Sequence, residues 1–235
     1  MKWLYLCLNL GSIAIPFLFS FHPKLKFYKY WKALLIAMIL TMVVFIPWDV
    51  IFTSQGFWGF NTEYYLSLRL FELPIEEWLF FICIPYACVF THYALLHYLP
   101  NLKLNDKWTR NISYVLMLVM ILIVSFHYDK WYTFINYGLA IILIPLMLKT
   151  NLSLLSQYYI TFLVMLVPFF FVNGILTGSF IEDQVVWYNN DENLGIRMFT
   201  IPVEDSIYAF TLIGMNLFLT DYFYTAFSGK RKMQS

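Results

Sequence analysis

Apolar residues run along this chain in seven long blocks separated by short polar stretches, at approximately residues 3–21, 31–48, 74–99, 111–127, 131–149, 155–176 and 201–227. Each block is close to the ~20 residues an α-helix needs to cross bilayer hydrocarbon. The pattern therefore predicts an all-α, polytopic membrane protein with seven transmembrane helices. Composition agrees: 61% of the 235 residues are hydrophobic, 21% are aromatic and only 12% are charged, against roughly 25% charged in a soluble domain.

The cationic residues set the expected orientation, because Lys and Arg collect in cytoplasmic loops. Lys24, Lys26, Lys29 and Lys32 follow the first block, and Lys103, Lys107 and Arg110 follow the third. Lys149 closes the fifth block, and Lys230, Arg231 and Lys232 end the chain. An N-out, C-in protein results, with the stretches 53–73 and 178–200 outside; the expected location is the bacterial cytoplasmic membrane. Phe21-His22-Pro23-Lys24 follows the first block, and no small-residue cleavage site is there to make that block a removed signal. A net charge of +1 offers no broad basic face for nucleic acid. Cys7, Cys83 and Cys88 all lie inside predicted spans, which suits packing better than disulfides or zinc. His92 and His97 stand about 140° apart on a helix, so they do not share a face as metal ligands would.

The polar positions inside the apolar blocks repeat. Residues 66–82 align without a gap on residues 194–210, 128 positions later: Arg69 recurs as Arg197, Phe71 as Phe199, Pro74 as Pro202, Glu76 as Glu204, and Glu77 as Asp205. The same offset lays span 1 on span 5, with Trp3 on Trp131, and span 3 on span 7. Span 2 falls on span 6 after a shift of about four residues, which puts Asp49 on Asn173. The chain thus divides into a first three-helix repeat at 1–99, a connecting transmembrane helix at 100–128, and a second three-helix repeat with a short tail at 129–235. A single connecting span makes the repeats parallel, related by an axis along the membrane normal. Both carboxylate pairs then sit at one depth.

Proline at a helix start followed by acids in the first turn is ordinary capping chemistry. Two adjacent acids in each of two copies exceed what a cap requires. Four carboxyl groups near one axis at the edge of lipid repel one another, and burial adds to the preference for protonated forms. Such a set can keep one carboxyl as acid and a neighbour as base. Aromatic residues surround it in the sequence, among them Trp48, Trp58, Trp78, Tyr188 and Tyr208. Most belong to the usual interfacial belt, but ring faces also stabilise cations by about 1–2 kcal/mol when desolvated.

The stretch Phe71-Glu72-Leu73-Pro74-Ile75-Glu76-Glu77-Trp78 and its copy Ile201-Pro202-Val203-Glu204-Asp205-Ser206, preceded by Trp48-Asp49 and Asn173-Gly174, resemble the lycopene cyclase domain family of membrane-integral carotenoid cyclases. In that family two three-helix domains, separate or fused, act together, and each carries a Pro-x-Glu-Glu/Asp motif. The resemblance implies a redox-neutral, acid-catalysed closure of the linear ends of lycopene, or a related linear carotenoid, to β-rings through a carbocation. The one-ring product precedes β-carotene. It implies Glu76, Glu77, Glu204 and Asp205 as catalytic groups, with Trp48, Asp49, Arg69, Trp78, Asn173 and Arg197 binding substrate or orienting them. The first repeat, with its complete Glu-Glu pair, is the better proton donor; the second suits support or proton removal.

No Gly-x-Gly-x-x-Gly turn is present, so no flavin fold is expected, and an isomerisation needs neither cofactor nor metal. The expected partners are the carotenoid and membrane lipid. Seven helices also resemble microbial rhodopsins, but span 7 has no lysine for a retinal Schiff base. A proton-coupled transporter would place acids near mid-membrane, and a carotenoid-binding scaffold serving other pathway enzymes would not need the four acids.

Overall fold

A computed structural model describes residues 1–229, which form seven helices: α1 (Leu4–Phe19), α2 (Trp31–Gln55), α3 (Ile75–Tyr98), α4 (Asp106–Phe126), α5 (Trp131–Thr150), α6 (Leu152–Leu176) and α7 (Val203–Phe227). Lys230, Arg231 and Lys232, used above for orientation, lie outside the described residues. The helices of α2 to α6 are long and apolar enough to cross a membrane. α1 is shorter at 16 residues, and α7, at 25 residues, carries Glu204, Asp205 and Asp221. The chain is an integral membrane protein, all-α in its main architecture.

Local chemistry sets the helix ends. Gly56 closes α2 in the left-handed region at φ 74°, a conformation that costs glycine little. Asn105 and Asn151 cap α4 and α6 by accepting from the backbone N–H groups of Trp108 and Leu154. The apolar run that suggested an end near residue 48 stops only because Asp49 is polar. The helix itself continues to Gln55 and buries Asp49 in its last turns.

Successive helices run in alternating directions. One end of the bundle, here the acid end, gathers the starts of α1, α3, α5 and α7 and the ends of α2 and α6. The other, basic, end carries Lys24 to Lys32, Lys103, Lys107, Arg110 and Lys149. Within each repeat the first helix packs on the third, α1 on α3 and α5 on α7, while α2 lies along α7 and α3 meets α6. Two cores result. One, at the basic end, is centred on Tyr86, Ile144, Tyr158 and Phe210; the other, at the acid end, is built from Phe45, Trp48, Trp58, Tyr65, Phe81 and Tyr132.

The acid end holds six short strands: β1 (Trp58–Phe60), β2 (Arg69–Leu70), β3 (Leu73–Pro74), β4 (Val186–Tyr188), β5 (Arg197–Met198) and β6 (Ile201–Pro202). β2–β3 and β5–β6 are tight hairpins that feed straight into α3 and α7. Their turns use positive φ without glycine, at Phe71 (49°) and Glu72 (65°) in the first copy and at Phe199 (58°) in the second. Pro74 and Pro202 stand one residue before their helices, with extended ψ of 148° and 140°, so each ends a strand and launches a helix. β1 and β4 pair antiparallel across the two repeats, with Trp58 opposite Tyr188 and Gly59 opposite Trp187. Strands this short show no alternation in the sequence.

Gly59 admits the Trp187 ring: an added Cβ would sit 2.4 Å from its Cζ2. Gly59→Val is therefore expected to displace Trp187 and cost about 1–3 kcal/mol, read as a lower thermal unfolding midpoint in detergent. An unchanged midpoint would show that the cross-repeat ribbon adds nothing to stability.

Candidate active site

Each Pro-x-acid-acid element separates its two acids by a turn of roughly 100° around the helix, and they do different things. The first acid of each pair faces inward. Glu76 and Glu204 are fully buried. Glu76 Oε1 accepts from the Leu66 backbone N–H at 2.8 Å, and Glu204 Oε1 accepts from that of Leu194 at 2.7 Å. Thr133 adds a second donor to Glu204 Oε1 at 2.8 Å. The backbone carbonyls of the same residues accept from Asn9 Nδ2 at 2.8 Å and Asn136 Nδ2 at 2.6 Å. These acids tie the preceding loop and the neighbouring first helix of the repeat to the start of α3 or α7.

The second acids lie against a shared cavity of about 500 Å³ whose lining includes Glu77, Asp205 and Asp49. Glu77 Oε2 accepts from the Tyr5 hydroxyl. Asp205 accepts from Tyr132 at 2.5 Å on Oδ1, and from Asn173 at 2.8 Å and Tyr188 at 3.0 Å on Oδ2. Asp49 Oδ1 accepts from Trp58 Nε1 at 2.9 Å, while its Oδ2 has no partner. The three carboxyls thus draw on neutral donors, unevenly: three for Asp205, one each for Glu77 and Asp49. Among the described residues the one ion pair, Arg69 with Glu72 at 4.0 Å, is exposed and outside this set. Tyr188 comes from β4, outside the helices. Burial, then the neighbouring Asp205 charge, push its phenol well above its usual range, so it remains a proton-bearing donor at neutral pH.

The rest of the lining is mostly apolar or aromatic, with the Ser12 and Thr91 hydroxyls donating to the Leu8 and Ala87 carbonyls. Tyr132 stacks on Tyr188 at 5.8 Å, Trp58 meets Tyr132 edge-on at 5.1 Å, and Trp48 stacks behind Tyr208 at 5.6 Å. Trp48 belongs to the wall's second layer; Tyr208 and Trp58 face the cavity. Three other residues singled out in the sequence do not reach the carboxyls. Arg69 binds the Tyr65 hydroxyl. Trp78 donates to the Leu70 carbonyl at 3.2 Å and pins the first hairpin. Arg197 bonds the Thr200 carbonyl and Asn190 and lies 5.7 Å over the Tyr188 ring, so it touches Asp205 only through that tyrosine. No cluster of His, Cys, Asp and Glu able to hold a metal occurs among the described residues.

Tyr5, Tyr132, Asn9 and Asn136 escaped the sequence reasoning, although a signal was there. Tyr5 and Asn9 recur as Tyr132 and Asn136 at an offset of 127, not 128. One residue of slippage between the first helix and the motif hid the match and made Trp3 seem the counterpart of Trp131.

A mainly apolar cavity with three carboxyls held by neutral donors from both repeats, inside a bundle of long apolar helices, marks an integral membrane protein with a site suited to a water-insoluble molecule. The family model for lycopene cyclase matches residues 2–95 and 129–223, most of the chain and both repeats. The protein belongs to the lycopene cyclase family, whose activity is the cyclisation of a carotenoid. No curated protein and no solved structure matches the chain.

The tie made by the first acids is testable apart from any activity. Glu76→Ala and Glu204→Ala are each expected to cost about 1–3 kcal/mol, the penalty for leaving a buried hydrogen-bonding group without its partner, and to expose residues 61–73 or 189–200 to limited proteolysis. Glutamine, which keeps an acceptor oxygen, should protect both loops. Equal nicking of the Ala and Gln variants would remove the assigned tie.

Proposed function

We propose that the protein is a lycopene β-cyclase that closes the linear ends of lycopene in a redox-neutral isomerisation. A carboxylic acid protonates C2 of the terminal C1=C2 bond and leaves the cation at C1. The C5=C6 π pair attacks C1, a C1–C6 bond forms, and the charge moves to C5. Loss of the C6 proton restores a C5=C6 bond, so the proton balance is zero and no electron acceptor is needed.

Glu77 is the proton donor in this reading, since it lines the cavity and spends only one oxygen on Tyr5. Asp205, with three donors, is the anion that faces the cation and takes up the C6 proton; charge held by oriented donors is stabilised in advance of the reaction. Asp49 holds Trp58 over the cavity, where ring faces attract positive charge. Glu76 and Glu204 act as positioning residues, as do Asn173 on Asp205, Arg197 on Tyr188, and Trp48 behind Tyr208. Arg69 and Trp78 steady the first hairpin. The observation that carries the reading is the convergence of Glu77, Asp205 and Asp49 on one mainly apolar cavity. A relay transporter would instead spread its acids along the membrane normal.

The repeats divide the chain at 1–99, 100–128 and 129–235. With the lysine-bearing end in the cytoplasm, the acid end faces outward and the protein is N-out, C-in in a bacterial cytoplasmic membrane.

The chemistry is tested by expressing the protein in a lycopene-accumulating bacterium grown in heavy water. Each new ring is expected to carry one solvent deuterium at C2, seen by mass spectrometry and NMR of the pigment. Cyclised pigment with no deuterium at C2 would rule out the acid step.

A further inference from the structure

The two repeats build equivalent floors but unequal grooves. On α3 the cavity is lined by Glu77, Phe80, Ile84, Ala87, Cys88 and Thr91, a single helical face. From Glu77 to Thr91 that face runs fourteen residues, roughly 21 Å at 1.5 Å per residue, or about two-thirds of a ~30 Å hydrocarbon core. Its rims are Gly11 and Ile15 of α1 and Pro168 and Phe171 of α6, which line the cavity and are also exposed on the outside of the bundle. Over the acids, Trp58, Phe60, Val186 and Tyr188 of the cross-repeat ribbon form a roof. The mouth thus faces lipid, between α1 and α6, with the carboxyls at the blind end.

The repeat relation places a twin groove over α7, between α5 and α2. It is filled. α2 packs closely along α7, Trp48 stacks on Tyr208 at 5.6 Å, and Phe45 meets the same ring edge-on at 5.3 Å. By the register that pairs Asp49 with Asn173, the counterpart of Trp48 in the open groove is Val172, a smaller side chain that lines the cavity.

We propose that this single groove takes one end of a linear polyene sideways from the bilayer, terminal double bond first, and that the once-cyclised pigment leaves the protein before its other end is cyclised. The proposal rests on the cyclase reading above. The occupant follows from the lining: a slender, wholly apolar chain fits a groove about 21 Å long whose carboxyl groups are confined to one end, the Ser12 and Thr91 hydroxyls farther along donating to carbonyls of their own helices. With the twin plugged, no second acid set awaits the far end of the same molecule. A second ring requires release, reversal in the bilayer and rebinding.

Two measurements on the full chain in proteoliposomes loaded with excess lycopene test this. The once-cyclised pigment is expected to exceed the protein at least about tenfold before the twice-cyclised one rises, after a lag. Twice-cyclised pigment from the first turnovers, with the once-cyclised form never exceeding the protein, would overturn the proposal. The second measurement uses Gly11 at the mouth and Gly138, its counterpart on α5 by the 127-residue offset; neither has a heavy atom within 4 Å of an added Cβ. Gly11→Phe is expected to lower the initial rate at least about tenfold at low lycopene, with Gly138→Phe within about twofold of the parent and both accumulating normally in membranes. Equal rates for the two variants, or a greater loss for Gly138→Phe, would overturn it. A parent protein that converts no lycopene would instead defeat the cyclase reading.

Discussion

Three carboxyl groups withdrawn from water into one mainly apolar cavity, with no ion-pair partner among the described residues, are the constraint around which the acid end of this protein is organised. Removing an ionised carboxylate from water costs several kcal/mol even after relaxation, and like charges close together add to that. The chain answers with neutral donors: Tyr5 for Glu77, Trp58 for Asp49, and Tyr132, Asn173 and Tyr188 for Asp205. Each donor comes from a different element, α1, β1, α5, α6 and β4, so hydrogen-bonding the acids also ties the elements together. Asp205, with three donors against one each for Glu77 and Asp49, is the most fully hydrogen-bonded of the three.

The division of labour within Pro-x-acid-acid follows from helix geometry. Adjacent residues point about 100° apart, so only one acid of a pair can look into the cavity. The other is left in the interior, where it satisfies a loop N–H and receives the neighbouring Asn through its own carbonyl. The motif is therefore a joint and a cavity-lining acid in adjacent positions. The hairpin before it, with Phe71 and Glu72 both at positive φ, fixes where the helix begins and which acid faces which way.

Much of this was legible in the sequence. Long apolar blocks marked the helices, and a gapless repeat marked the acids, because neither signal depends on distant partners. Asp49 and Asn173 were paired by register and singled out by the family resemblance, and the structure sets both at the carboxyl cluster. The parts that escaped are long-range. A three-residue ribbon has no periodicity to read, yet β1–β4 delivers Trp58 and Tyr188. Tyr5 and Asn9 sat in plain view but one residue out of step with the motif. Arg69 and Arg197 look like natural partners for acids, and only coordinates reveal that they end on Tyr65 and over Tyr188. The structure also breaks the symmetry that the sequence implied, since Trp48 fills the space that Val172 leaves open.

The central claim, that the two repeats contribute to one site and not to one site each, is tested most directly by initial cyclisation rates in matched membranes for Glu77→Gln, Asp205→Asn and the double variant. A shared site predicts that each single change lowers the rate at least about a hundredfold, with the double variant about as slow as the worse single one, because groups acting as a unit are not additive. Two single variants that each keep about half the parent rate, with loss only when both acids are changed, would contradict the account.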